Sequence, residues 1–248
     1  MRLFIIFIGI IMGGGLQAAT FLNPPEVIYA GSKDYKDIDS RRFQGIPSLM
    51  VSDGGRIWVA WYGGPTPAED KNNYVIVSTS GDGGENWQEK FIIDHSGRRG
   101  VRVFDPQVWL DPYGGLWVFW AQQPASGRFN PHSGVWAMRN ANPDSEDGDW
   151  SAPRRLTEGI MMCKPTVLSD RTWLLPASTW QATDYSARAV ASDNNGLCFE
   201  VIGGCNIVPE DHRNYDEYIF VEKKDGSIWM LVRTSYGIGE SFSYDGGM

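Results

Sequence analysis

Side chains able to do acid–base or ion-binding chemistry collect in five polar stretches between apolar runs. Residues 63–73 carry Glu69 and Asp70, and residues 98–105 start with Arg98 and end on Asp105. Residues 122–133 carry Arg128 and His132, and residues 180–187 carry Asp184 and Tyr185. Residues 209–217 carry His212, Arg213, Tyr215 and Glu217. Carboxylates can donate or accept protons, and a guanidinium grips an oxyanion through a planar fork. Asp105, Lys164 and Glu217 occupy equivalent places ahead of successive apolar runs, with Ile46 as the fourth member, and Arg233 closes the run that follows Glu217. Three charged groups brought to one axis need partners or a polar ligand. A bowl of mixed charge suits a carbohydrate or a sugar acid. The plainer alternative is that these groups neutralise one another or line a water channel. His95, His132 and His212 lack metal-ligand spacing, and neither a metal nor a cofactor is implied.

Convergence on an axis requires a repeating framework, and the sequence has one. Four segments resemble each other: Ile46-Pro47-Ser48-Leu49-Met50, Asp105-Pro106-Gln107-Val108-Trp109, Lys164-Pro165-Thr166-Val167-Leu168 and Glu217-Tyr218-Ile219-Phe220-Val221. Each leads to a second run with a tryptophan, and Trp58, Trp117, Trp173 and Trp229 are 59, 56 and 56 residues apart. Pro47, Pro106 and Pro165 are spaced by 59 each time. In the first unit the apolar runs predict strands over 48–51, 57–62, 74–79 and 91–94, broken by Gly, Asp and Asn turns. Four strands per unit, repeated, predict an all-β chain of four-stranded antiparallel blades, a β-propeller in which neighbours bury each other's faces. A β-sandwich is the alternative, but a sandwich has no reason to repeat.

The chain has 248 residues, 42% of them hydrophobic and 13% aromatic, too apolar for disorder. Its net charge of −8 and the lack of a basic run argue against nucleic acid as a partner. Met1-Arg2 precedes fourteen apolar residues and then Gln17-Ala18-Ala19, the pattern of a secretory signal peptide over residues 1–19. The apolar run is shorter than the ~20 residues that cross a bilayer. Cleavage near Ala18 or Ala19 leaves no membrane span, and residues 20–248 are expected to be secreted or periplasmic. Cys163, Cys198 and Cys205 are too few for a disulfide framework. Cys198 and Cys205 could pair in an oxidising compartment or remain free thiols. No feature sets an oligomeric state.

Between the third and fourth strands of unit one lies Ser80-Gly81-Asp82-Gly83-Gly84-Glu85-Asn86-Trp87, which fits Ser-x-Asp-x-Gly-x-x-Trp. A weaker copy runs from Ser192 through Asn194 and Gly196 to Phe199, and a third begins at Ser243-Tyr244-Asp245. The Ser and Asp oxygens are expected to satisfy turn amides, the Gly to supply φ > 0 and the Trp to plug the blade, all structural roles. With these Asp-boxes the chain, from about Arg41 onward, resembles the sialidase (neuraminidase) superfamily of BNR-repeat propellers. That resemblance implies six blades, three arginines on the substrate carboxylate, an Asp as acid/base, and a Tyr nucleophile assisted by a Glu. A neutral phenol attacking an anionic sugar avoids the repulsion that a carboxylate would meet.

Carried over by position, Glu217 resembles the assisting Glu and Arg233 the second arginine. Asp70 resembles the acid/base, with Glu69 as its rival. Asp105, Lys164 and Arg213 are further candidates for substrate contact. The resemblance departs in two places. The family's first arginine belongs to a Phe/Tyr-Arg-Ile-Pro motif, but here the stretch reads Phe43-Gln44-Gly45-Ile46-Pro47, with Arg41 and Arg42 out of register. The second is length: about four blades fit, so the third arginine and the tyrosine are expected to lie outside this chain, as in a fragment. The leading expectation is a secreted exo-glycosidase that hydrolyses a terminal acidic sugar from a glycan. A hydrolase or lyase acting on another uronate- or deoxysugar-containing glycan is the second, with His132, His212, Tyr185 and Tyr215 as candidates. A non-catalytic glycan-binding module is the third.

Overall fold

The computed structural model describes residues 20–95, 100–125 and 130–248. The expected signal peptide, Arg98 and Arg128 lie outside the described residues. The described chain is all-β, with only three short 3-10 turns besides its strands. None of its helices is long and apolar enough to cross a membrane.

Four antiparallel sheets follow one another along the chain. The first contains β1 (Glu26–Tyr29), β2 (Phe43–Val51), β3 (Ile57–Gly64), β4 (Tyr74–Ser80) and β5 (Gln88–Asp94), in spatial order β1-β5-β4-β3-β2. The second is a meander of β6 (Val101–Leu110), β7 (Leu116–Pro124), β8 (Gly134–Asn140) and β9 (Arg154–Glu158). Next come β10 (Ile160–Met161), β11 (Thr166–Val167), β12 (Trp173–Leu175), β13 (Ala177–Ser178), β14 (Ala187–Ser192) and β15 (Glu200–Cys205). Of these, β11-β12-β14-β15 form the third sheet, while β10 pairs with β13 alone. The fourth sheet holds three strands, β16 (Arg213–Glu222), β17 (Ile228–Thr234) and β18 (Gly237–Ser243). The four strands expected in unit one are present and longer at their ends. Strand β1, outside the repeat, adds a fifth by pairing Val27 with Ile93 at the outer edge.

Facing sheets bury the repeat tryptophans between them. Trp58 is fully buried, donates from Nε1 to the Pro143 carbonyl at 2.7 Å and meets Trp150 edge-on at 5.4 Å. Trp173 meets Trp109 and Trp117 edge-on at 4.9 and 5.8 Å, joining the second and third sheets. Each such pair contributes ~0.5–1.5 kcal/mol beyond area burial. The third and fourth sheets share a cluster that includes Leu174, Ala189, Tyr218, Phe220 and Met230. Trp229 breaks the series: it is half-buried, stacked on Phe242, with Nε1 donating to Glu240. Asp111 anchors Trp117. Burial alone would raise its pKa, but bonds from Trp117 Nε1, the Gly115 and Tyr113 amides and Arg139 Nε bring it below the usual range.

The Asp-boxes behave as turn clips. Asp82 Oδ1 accepts from Ser80 Oγ and the Asn86 amide, and Ser80 Oγ accepts from the Gly84 amide. Bonds from Asn86 and Ser80 hold Asp82 at about 2. Ser192, Asn194 and Gly196 repeat the pattern, with the Cys198 amide in place of Asn86. Trp87 does not plug the sheet. It is 47% exposed and folds over its own turn, donating from Nε1 to the Gly84 carbonyl at 2.9 Å. All three cysteines are free thiols.

Gly84 and Gly196 occupy the same box position at φ 95° and 78°, but a Cβ on Gly196 would lie 2.6 Å from Trp173, whereas Gly84 has only ordinary contacts. Gly84→Ala is expected to cost only the backbone penalty, ~1–2 kcal/mol. Gly196→Ala adds overpacking of ~1–3 kcal/mol against the buried indoles. Urea denaturation midpoints of the two variants check this, and equal shifts would refute it.

Candidate functional site

Proline places the first residues of the site. It has no amide hydrogen, so a ladder must skip it, and a bulge is the usual way. Pairing of β2 with β3 shifts register between Gly45 and Ser48, skipping Ile46-Pro47, and pairing of β6 with β7 shifts between Phe104 and Gln107, skipping Asp105-Pro106. Ile46 and Asp105 sit there at φ 49° and 48°. In β16 the shift spans Arg213 to Tyr218, and the positive φ falls on Tyr215 and Asp216 instead. These irregularities border a hollow of about 490 Å³ lined by Ile46, Glu69, Arg102, Asp105, Gln123, Met162, Trp180, Tyr215, Glu217 and Arg233.

Two ion pairs stand in its wall. Glu217 on β16 accepts from Arg233 Nη1 on β17 at 2.9 Å, and the Arg233 guanidinium lies 5.3 Å from the Tyr215 ring centre. Glu69, on the loop after β3, accepts from Arg102 Nη2 on β6. Trp180 meets Tyr215 edge-on at 5.3 Å and Phe104 at 5.8 Å.

Asp105 is 3% exposed, and its Oδ1 has no hydrogen-bond partner among the described residues. Burial, opposed by Arg102 and reinforced by Glu69 and Glu217, raises its pKa to about 8. The side chain therefore presents a largely protonated carboxyl at neutral pH, able both to donate and to accept a hydrogen bond.

The expected site residues divide in two. Asp105, Glu217 and Arg233 come together in the hollow; Asp70, Lys164 and Arg213 do not line it. Asp70 closes its own loop by accepting from Thr66 Oγ at 2.7 Å and from the Asn72 amide at 2.7 Å. Although burial works the other way, those bonds lower its pKa. Its neighbour Glu69 faces the hollow instead. Lys164 donates from Nζ to the Leu49 carbonyl at 2.7 Å, tying the third sheet to the first. Arg213 is a buried strut, 2.6 Å from Asp216 and 2.7 Å from Ser186 Oγ.

Of the His/Tyr candidates only Tyr215 lines the hollow. His132 pairs with Glu158, His212 bonds Ser235, and Tyr185 is 62% exposed. Arg41 is bound to Glu89, and Gln44 accepts from Trp61 Nε1, so neither supplies a cation to the hollow. Arg102 and Trp180 were not singled out from the sequence. The signal for Arg102 was a charge inside the apolar run Val101-Arg102-Val103-Phe104.

Residues 55–248 match the family described as a BNR repeat-like domain. No curated protein matches the chain in sequence. Among solved structures, the Hadza microbial sialidase Hz136 is 18% identical with TM-score 0.66, covering 84% of this chain and 46% of its own. The leech intramolecular trans-sialidase, complexed with 2,7-anhydro-Neu5Ac, is 14% identical with TM-score 0.65, covering 91% and 52%. A protein of unknown function from Dyadobacter fermentans is 16% identical with TM-score 0.61, covering 91% and 70%. The chain thus spans about half the length of the two sialidases. At these identities the likeness is one of fold.

Asp105 keeps its proton up to about pH 8 when folded and releases it near pH 4 when unfolded. Between those values the folded state holds the extra proton, so this contribution to stability is full below about pH 4 and is lost as pH rises through about 8. Thermal melts at pH 5 and pH 9 are expected to show a smaller drop for Asp105→Asn than for the wild type. Equal drops would remove Asp105 as the cause.

Proposed function

The chain belongs to the BNR repeat-like domain family, and from that premise we propose that its four sheets are blades of a sialidase-type propeller acting outside the cytoplasm. Its activity is the hydrolytic release of a terminal acidic sugar from a glycan. The observation that carries this reading is the shared hollow, where Glu217–Arg233 and Glu69–Arg102 stand around a buried, protonated Asp105. Sialidases among the structural neighbours add support at the level of fold. The apolar leader supports the location.

In this scheme the Arg233 fork receives the sugar carboxylate. Glu217, already bonded to Arg233, takes the proton of the attacking hydroxyl, a tyrosine's by the family resemblance. Glu69, rather than Asp70, takes up a proton from solvent and passes it to the leaving oxygen, because it is the one of the two that reaches the hollow. Asp105 offers its carboxyl proton to a sugar hydroxyl. Trp180 and Tyr215 supply aromatic wall for the ring's apolar face.

General acid catalysis supplies about 10²–10⁴-fold. Glu69→Gln in the intact protein should therefore lower kcat on 3′-sialyllactose by that order. It should spare a 4-nitrophenyl sialoside, whose phenolate leaves unaided. Asp70→Asn should affect both substrates alike and only modestly. Loss confined to Asp70→Asn would hand the acid role back to Asp70.

A further inference from the structure

The second guanidinium of the hollow has no task in the scheme above. Arg102 lies three residues before the bulge at Asp105, with its side chain 12% exposed. Its guanidinium carbon sits 3.9 Å from the Phe104 ring centre and 5.7 Å from that of Tyr62, both rings being fully buried. Its Nε donates at 3.1 Å to Oδ1 of Asn73, itself 1% exposed. One Nη2 hydrogen goes to Glu69. A guanidinium has five N–H groups. Both hydrogens on Nη1 and one on Nη2 therefore lack an acceptor among the described residues.

A fork lying over aromatic rings in the wall of a hollow, with donors that no described residue takes up, is preorganised for an oxyanion. Among the described residues, the tie that a ligand would have to break is the one to Glu69, which is 47% exposed and carried on a loop. Asn73 and the two rings would keep the guanidinium in place during that exchange. The stretch Phe43-Gln44-Gly45-Ile46-Pro47, where the resemblance calls for an arginine, has none, and its Gln44 is engaged with Trp61. Among the described residues, the cations that line the hollow are Arg102 and Arg233, one each from the second and fourth sheets.

We infer that Arg102 is a substrate-binding residue that receives the carboxylate of the acidic sugar opposite Arg233, displacing Glu69 from its resting pair. Released from Arg102, Glu69 takes up a proton from solvent and is free to turn to the glycosidic oxygen. The inference rests on the proposed function and adds to it a second carboxylate contact and an exchange of partners.

The test is calorimetric titration of the intact protein with N-acetylneuraminic acid and D-glucuronate, with D-glucose as the uncharged comparison. A charge-assisted hydrogen bond carries about 10- to 150-fold in affinity. Arg102→Gln should lose that much for the acid that binds, and Arg102→Lys should recover only part, because an ammonium lacks the fork. Glu69→Gln should bind the acid several-fold more tightly, since a competitor for Arg102 is gone. That gain is an effect no merely structural ion pair would give, and it keeps the test decisive if Arg102→Gln fails to fold. D-Glucose affinity should stay the same throughout. Unchanged acid affinity in a folded Arg102→Gln variant, or weaker binding by Glu69→Gln, overturns the inference. If Arg233→Gln alone abolishes acid binding, the inference fails while the proposed function stands. If the wild type binds neither acid, both fall.

Discussion

The missing amide hydrogen of proline is the constraint from which the site follows. At Ile46-Pro47 and Asp105-Pro106 the ladder has to skip two residues, and paired strand on either side fixes where the skip falls. The residue before each proline is thereby thrown out of the alternation of a strand and into the central hollow. At Asp105 the outcome is chemical as well as geometric. Flanked by paired backbone and itself buried, the carboxyl meets too little water to ionise at neutral pH. A turn residue at the same depth would be solvated and charged.

Around that uncharged acid the described residues of the hollow set two carboxylates against two guanidiniums. The pairs are built differently. Glu217 and Arg233 sit on adjacent strands of one sheet, each next to a member of the Tyr218–Val232 pair. Glu69 reaches Arg102 from a loop of the neighbouring sheet, so that pair depends on packing between sheets. An arriving anion has to replace a carboxylate on one of the arginines, and the loop-borne Glu69 yields more readily than the strand-borne Glu217. The same asymmetry explains why Glu69, and not Glu217, suits a task that requires movement.

Much of this was legible in the sequence because spacing encodes it. The repeat of Trp58, Trp117 and Trp173 corresponds to buried indoles between sheets, and the apolar runs after Glu217 and before Arg233 pair as adjacent strands that bring the two together. What escaped was orientation. Glu69 and Asp70 are adjacent on one loop, and only the bonds from Thr66 and Asn72 decide that Asp70 turns inward on its own loop while Glu69 points to the hollow. Lys164 and Arg213 had the right polarity in the right stretches, but long basic side chains reach elsewhere: a carbonyl of another sheet for one, a buried Asp216 for the other. Trp87 fitted the box pattern, yet its indole closes its own turn because Gly84 offers a carbonyl three residues away. Arg102 hid inside an apolar strand, where a charge is easily taken for solvent-facing decoration.

The indole contacts between neighbouring sheets carry a mechanical meaning. Each sheet is fastened to the next by its own cluster, and the clusters meet different faces of the sheet between them. Such a chain of clasps responds to damage as a row of links does, with strain passing to an adjoining member and fading beyond it. The hollow draws residues from the first, second and fourth sheets, so it reports on several clasps at once. Its shape is thus more fragile than any single sheet, and a lesion too mild to melt a sheet can still put the working groups out of alignment.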